Sequence, residues 1–372
     1  MTLRHELTVV AIFLASCAIQ ATALAPIKRI KAQTETPADN LFAMASAQLN
    51  ETASALGDVV KGKGDPTHTP LGIVANDLAP FWTAGQIGSL RAAKELGAEV
   101  IFTAPIKPGD AAAQSNIIGN FIKEGYKGIA FSAIDPDSIQ PIIQQGIAQN
   151  VHFTTLDSDA PQTGRLIYIG TNNYNAGVAA AKALFQVLGN GGGKVVGLVG
   201  ALTAQNASDR VRGIRDTIKG TNVSLETVMV DDLDPLKAEN DAAQALVQYP
   251  DLAAFVALYS YDGAAVGNAL RLANKIGVVK VVAFDLEPET ISFLKDGTIS
   301  AAVGQRPYFM GYLSVYTLYA ISTIGPESTL KVLDPYLTGD NKDVIDTGVD
   351  IVTPQTLPEY SNYLNSIGIK SQ

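Results

Sequence analysis

The chain is 372 residues long, 47% hydrophobic and 17% charged, so it can bury a large core and exceeds one ordinary compact domain. Its 27 Lys and Arg against 36 Asp and Glu give a net charge of −9, which offers no electrostatic footprint for nucleic acid. A single cysteine excludes an internal disulfide, and together with three histidines it leaves too few soft ligands for a structural zinc site.

Arg4 precedes an apolar run from Leu7 to Ser16, short for a membrane span but right for a signal-peptide core. Residues 1–25 are therefore expected to be an export leader, and the rest periplasmic or otherwise extracytoplasmic. Leu14, Ala15, Ser16 and Cys17 resemble the bacterial lipobox, which marks Cys17 for lipidation and makes the N-terminus a membrane tether. Two other outcomes stay open. One is cleavage at Ala23-Leu24-Ala25, where Pro26 fits a protease cleft poorly; the other is an uncleaved anchor over Leu7 to Ala25. Residues 26–69, with Pro37, Gly62, Gly64 and Pro66 as breakers, read as a tether holding at most a weak helix over 41–60.

From Leu71 onward, short apolar runs alternate with helical segments. Strand 71–75, helix 80–96 and the cap-like Gly97 open the series, and strands follow near 98–103, 128–133, 151–156 and 166–170. A second series lies near 194–200, 224–230, 253–259, 279–284 and 299–304. This βα repetition predicts an α/β fold of two doubly wound parallel sheets, each covered by helices on both faces. Pro80, Pro136, Pro235, Pro288 and Pro307 mark strand-to-helix turns, because a missing N–H costs nothing at a helix start. Ligands sit beyond the carboxyl ends of such strands, so the functional search belongs at these turns.

Gly189 to Lys194 looks like a phosphate loop, yet Val195 stands where Ser or Thr is needed and the strand–loop–helix order is reversed. It is expected to end a helix and start a strand. His5 falls in the leader, His68 in the tether and His152 at the start of a buried strand, so no Ser/His/Asp constellation forms. Asp231 with Asp232, and Asp157 with Asp159, have no identifiable catalytic partner. What the strand ends carry is Phe81, Trp82, Ser132, Asp157, Ser158, Thr171, Arg210, Tyr261, Asp262, Asp285 and Gln305. Planar carboxylate, amide and guanidinium groups pair with vicinal hydroxyls, and aromatic faces pack on sugar C–H faces. For any one of these residues a turn cap or core role remains open.

In series, these stretches resemble the ribose-binding-protein-like group of periplasmic substrate-binding proteins, the solute receptors of sugar ABC transporters. The resemblance runs over about residues 71–352, through Gly72 to Asp77 with Pro80 to Trp82, Leu156 to Pro161, Tyr168 to Gly177, Asn206 to Gly213, Val282 to Asp285, and Gly304 with Gln305. It implies a type I periplasmic binding protein fold, two lobes joined by a three-stranded hinge near 171–174, 305–308 and 346–350. The N-terminal lobe would comprise 70–171 and 306–347, and the C-terminal lobe 172–305 and 348–372. Phe81 and Trp82 would sandwich the ligand, with Ser132, Asp157 and Thr171 hydrogen-bonding from one lobe and Arg210, Asp285 and Gln305 from the other. Ser158 replaces an arginine and Tyr261 an asparagine of the ribose receptor pattern, which points away from ribose itself and towards another pentose, a hexose or a polyol. Asn76 and Asn206 are candidates to compensate.

The expected protein is thus a monomeric, non-enzymatic receptor without metal or cofactor. It closes around a small neutral sugar or polyol, hands it to an ABC transporter permease, and meets the membrane only through its N-terminal lipid or anchor. A receptor for an amino acid or other small polar metabolite, and a sensory sugar receptor, are the alternatives. A regulator of the lactose-repressor type would carry a helix-turn-helix head where this chain has a leader and tether, and an enzyme on the same fold would reveal itself by turnover.

Overall fold

A computed structural model describes residues 41–63 and 70–370 of the chain. The short apolar runs form two six-stranded sheets. The first contains β1 (Leu71–Val74), β2 (Val100–Thr103), β3 (Gly128–Phe131), β4 (His152–Leu156), β5 (Tyr168–Gly170) and β11 (Val344–Asp346), ordered β11-β5-β4-β3-β1-β2 and parallel throughout. The second contains β6 (Gly193–Val199), β7 (Val223–Val230), β8 (Leu252–Ala257), β9 (Lys280–Phe284), β10 (Ala301–Gly304) and β12 (Asp350–Val352), ordered β12-β10-β9-β8-β6-β7. Only the β10–β12 pair runs antiparallel. Central strands such as β1 and β3 are buried along their whole length, as strands covered by helices on both faces must be.

The chain passes between the sheets after β5, after β10 and between β11 and β12, so three strands of backbone link two lobes of the same topology. Strand-to-helix turns set the helix starts. Asp135 caps α5 (Pro136–Ile147) through the N–H groups of Asp137 and Ser138, and Asp234 caps α8 (Pro235–Gln248) through those of Leu236 and Lys237. The Gly189 to Gly193 run joins α6 (Asn173–Leu188) to β6, with Gly189, Gly192 and Gly193 all at positive φ, which makes it a helix stop rather than an anion cradle.

Glycines seat the two helices that carry the cleft side chains. A Cβ on Gly88 of α3 (Phe81–Leu96) would stand 2.0 Å from the Tyr308 carbonyl oxygen of α11 (Pro307–Ile324). A Cβ on Gly213 of α7 (Gln205–Ile218) would stand 2.2 Å from the Tyr174 carbonyl oxygen of α6. Each pair therefore crosses at backbone contact, which fixes Phe81 and Trp82 in one lobe and Arg210 in the other.

The tether expected over 26–69 is corrected within its described part. Residues 41–45 and 47–60 form α1 (Leu41–Ala45) and α2 (Ala47–Val60), and Leu49, Ala53, Leu56 and Val60 are buried in the main core. Their spacing of four, three and four residues places them on one face of the helix, which packs on α11 and α12 (Pro326–Leu333). Phe42 of α1 packs edge-on against Tyr360 of α13 (Leu357–Ser366), with ring centroids 5.1 Å apart. Among the described residues no helix is long and apolar enough to cross a membrane. The leader and Cys17 lie outside the described residues.

Candidate ligand-binding site

Asp157 follows β4 and Asp285 follows β9, strands that hold the third place in each sheet order. Both adopt left-handed backbone, with φ of 59° and 61°, a conformation that Asp tolerates better than most residues and that turns each carboxyl off the strand end. The two lobes thus offer one buried carboxyl each from matching positions. Asp157 accepts a hydrogen bond from the Ser132 hydroxyl at 3.0 Å, and Asp285 accepts from the Gln305 amide at 3.2 Å. Burial pushes the Asp157 carboxyl up to about 6, opposed by the charge of Arg210 and the Ser132 hydrogen bond. It pushes Asp285 up to about 7, opposed by Arg210 and Gln305.

Among the described residues, Arg210 is the one cation in the cavity between the lobes, and neutral acceptors hold it. Its Nε donates to Asn173 Oδ1 at 2.9 Å and its Nη1 to the Leu258 carbonyl at 2.6 Å, while the guanidinium lies over the Phe284 ring at 4.4 Å. Nη2 is buried without a protein partner. A guanidinium so fixed has already lost its rotamer freedom and keeps one N–H₂ group free for a ligand oxygen.

These groups face a cavity of about 100 Å³ between the lobes. Asn76, Phe81, Trp82, Asp157, Ser158, Asn206, Arg210, Tyr261, Asp285 and Gln305 all line it. Ser132 and Thr171 do not: the Ser132 hydroxyl is spent on Asp157, and the Thr171 carbonyl accepts from Tyr168 at 2.9 Å and Asn173 at 3.1 Å. Ser132 thus supports the wall from behind Asp157, which corrects its expected direct contact, whereas the Thr171 hydroxyl is buried without a partner. Trp82 is both wall and core. It is 4% exposed, its indole N–H donates to Asn76 Oδ1 at 2.8 Å, and its ring meets Phe81 edge to face at 5.1 Å. The two rings therefore present perpendicular faces rather than a parallel pair.

Tyr261 donates its hydroxyl to Asp231, leaving its ring as cavity surface, and Asp262, buried at the start of the helix Asp262–Leu272, accepts from the Tyr259 N–H at 3.0 Å. Asp159 pairs with Arg165 at 2.6 Å and has no place in the cavity. Sequence reasoning missed Asp77, Tyr259 and Ser260 in the wall, and Asn173 as the residue that orients Arg210. Asn173 sat within a quoted stretch, but its side-chain partner is 37 positions away and no local pattern announces it.

A family model described as a periplasmic binding protein domain matches residues 72–326. The chain belongs to the periplasmic binding protein family. Within that family it is similar to ribose- and allose-binding proteins. It is 25% identical over 240 residues to the D-allose-binding periplasmic protein of Escherichia coli, covering 62% of this chain and 77% of that one. It is 27% identical over 236 residues to the ribose import binding protein of Bacillus subtilis, covering 63% and 75%. Among solved structures it resembles an ABC transporter solute binding protein from Burkholderia graminis in complex with D-arabinose, with a TM-score of 0.70, 28% identity, and coverage of 79% of this chain and 98% of that one. In this periplasmic binding protein the lobes meet across the cleft, where a Cβ on Gly109 of the first would lie 3.2 Å from Leu233 of the second.

Proposed function

We propose that the protein captures a small sugar or polyol between its lobes by hinge closure and delivers it to an ABC transporter permease. The observation that carries this reading is the cleft's donor and acceptor set. Two buried carboxyls arrive from matching strand ends, beside a pre-held guanidinium with a free N–H₂ group and the rings of Phe81 and Trp82. Carboxyl, amide and guanidinium groups suit adjacent hydroxyls, and the aromatic surface suits C–H faces. Solute binding in the relatives supports a receptor that performs no chemistry of its own.

The receptor works outside the cytoplasm as a monomer, exported by residues 1–25 and held at the membrane through a lipid on Cys17. One native mass spectrum of the protein purified from its own host tests both parts. It is expected to show a copurified sugar or polyol and a mature chain beginning at a diacylated Cys17. A copurified amino acid overturns the ligand class, and a mature mass beginning at Pro26 overturns the lipid anchor.

A further inference from the structure

Beside the sugar cavity lies a second one of about 330 Å³. Phe81, Asp285 and Gln305 line both cavities, so the two share a wall. The rest of the second cavity is largely aromatic and aliphatic, with Tyr308, Phe309, Tyr360, Ile291 and Leu364 around it. Four charged residues also line it, and one oxygen of Glu287 is buried without a hydrogen-bond partner. Asp285 belongs to the shared wall, Arg306 is held by Asp350 at 2.6 Å and by the carbonyls of Ala45 and Thr347, and Glu287 and Lys370 complete the set. At the shared wall the Gln305 side-chain oxygen, on a residue 4% exposed, has no hydrogen-bond partner.

We propose that the second cavity takes the apolar aglycone of a glycoside whose sugar ring occupies the first. The proposal rests on the sugar reading above and extends it. Ligand pockets combine a mostly apolar surface with a few polar groups that fix orientation; here the first cavity supplies two buried carboxyls and the Arg210 guanidinium, and the second adds the larger aromatic and aliphatic surface. Aromatic walls of this kind complement a flat ring, with edge-on and offset contacts open to it. Because Phe81, Asp285 and Gln305 face both cavities, a ligand with a polar and an apolar half is the occupant to test.

The test compares methyl and phenyl glycosides of ribose, arabinose, xylose, allose, glucose and galactose by calorimetry on the full chain. For the sugar that binds best, the phenyl glycoside is expected to bind about tenfold to a hundredfold more tightly than the methyl glycoside. Thr83→Trp, an exposed position on the rim of the second cavity, should remove that gain and leave the methyl glycoside within about twofold. Ile367→Trp, at the end of α13, repeats the test on a different element. Equal binding of the two glycosides, or a phenyl gain that survives both variants, overturns the aglycone assignment while sugar binding stands. Failure of every sugar and glycoside to bind takes down the sugar reading and this inference together.

Discussion

Asp285 is a buried carboxyl held in a state that costs stability. Its folded-state value is pushed up to about 7, whereas an unfolded aspartate titrates near 4. Between those values the folded chain holds a proton that the unfolded chain has released, so stability falls as pH rises through that window and levels off above it. Asp157, pushed up to about 6, acts in the same direction over the lower part of the window. Asp285→Asn keeps the shape without the charge and is expected to melt higher than the parent at pH 8, by at most roughly 4 kcal/mol, with the difference closing towards pH 4. Thermal unfolding across that range, without ligand, checks it, and a parent curve that matches the variant at every pH would contradict a strained carboxyl. Asp157, Asp285 and Gln305 could be singled out in the sequence as cavity residues because each directly follows a strand, where the fold class directs the search, whereas Arg210 lies more than a turn inside α7. The supporting role of Ser132 was not legible there, because a hydroxyl 25 residues from its carboxyl partner is placed only by the pairing of β3 and β4.

At the scale of elements, the βα alternation from Leu71 to Gly304 gave strand positions close to those of the folded chain, since a strand buried on both faces writes a continuous apolar run. The miss came earlier. Residues 41–60 are rich in Ala, and their breaker-flanked composition hid a stripe of Leu49, Ala53, Leu56 and Val60 whose burial depends on α11, more than 240 positions away. Helix α11 is itself buried on nearly all sides, between the first sheet, α3 and α2. Leu56 is fully buried in that contact, so Leu56→Ala should cost about 2–5 kcal/mol in denaturant unfolding. A loss below about 0.5 kcal/mol, the range of ordinary surface substitutions, would return α2 to the status of a tether.

For the whole molecule, the three crossings and the N-terminal helices meet at one place. Arg306, beside the second crossing, pairs with Asp350 beyond the third and donates to the carbonyls of Thr347 and Ala45, which ties α1 to the hinge. Helix α2 packs on the first lobe while Phe42 of α1 packs on α13, which follows β12 of the second sheet. The N-terminal helices therefore brace the three crossings, and under the proposed function closure about them is expected to bring Arg210 and Asp285 onto a ligand held by Asp157 and Trp82. The most direct test of capture between the lobes is calorimetric titration of the sugar that binds the parent best into Arg210→Ala and Asp285→Ala. Each variant is expected to bind about tenfold to a hundredfold more weakly, the loss of one charged hydrogen-bonding partner, with an unchanged far-ultraviolet circular dichroism spectrum. Parental affinity in both variants would place the ligand outside this cleft and contradict the account.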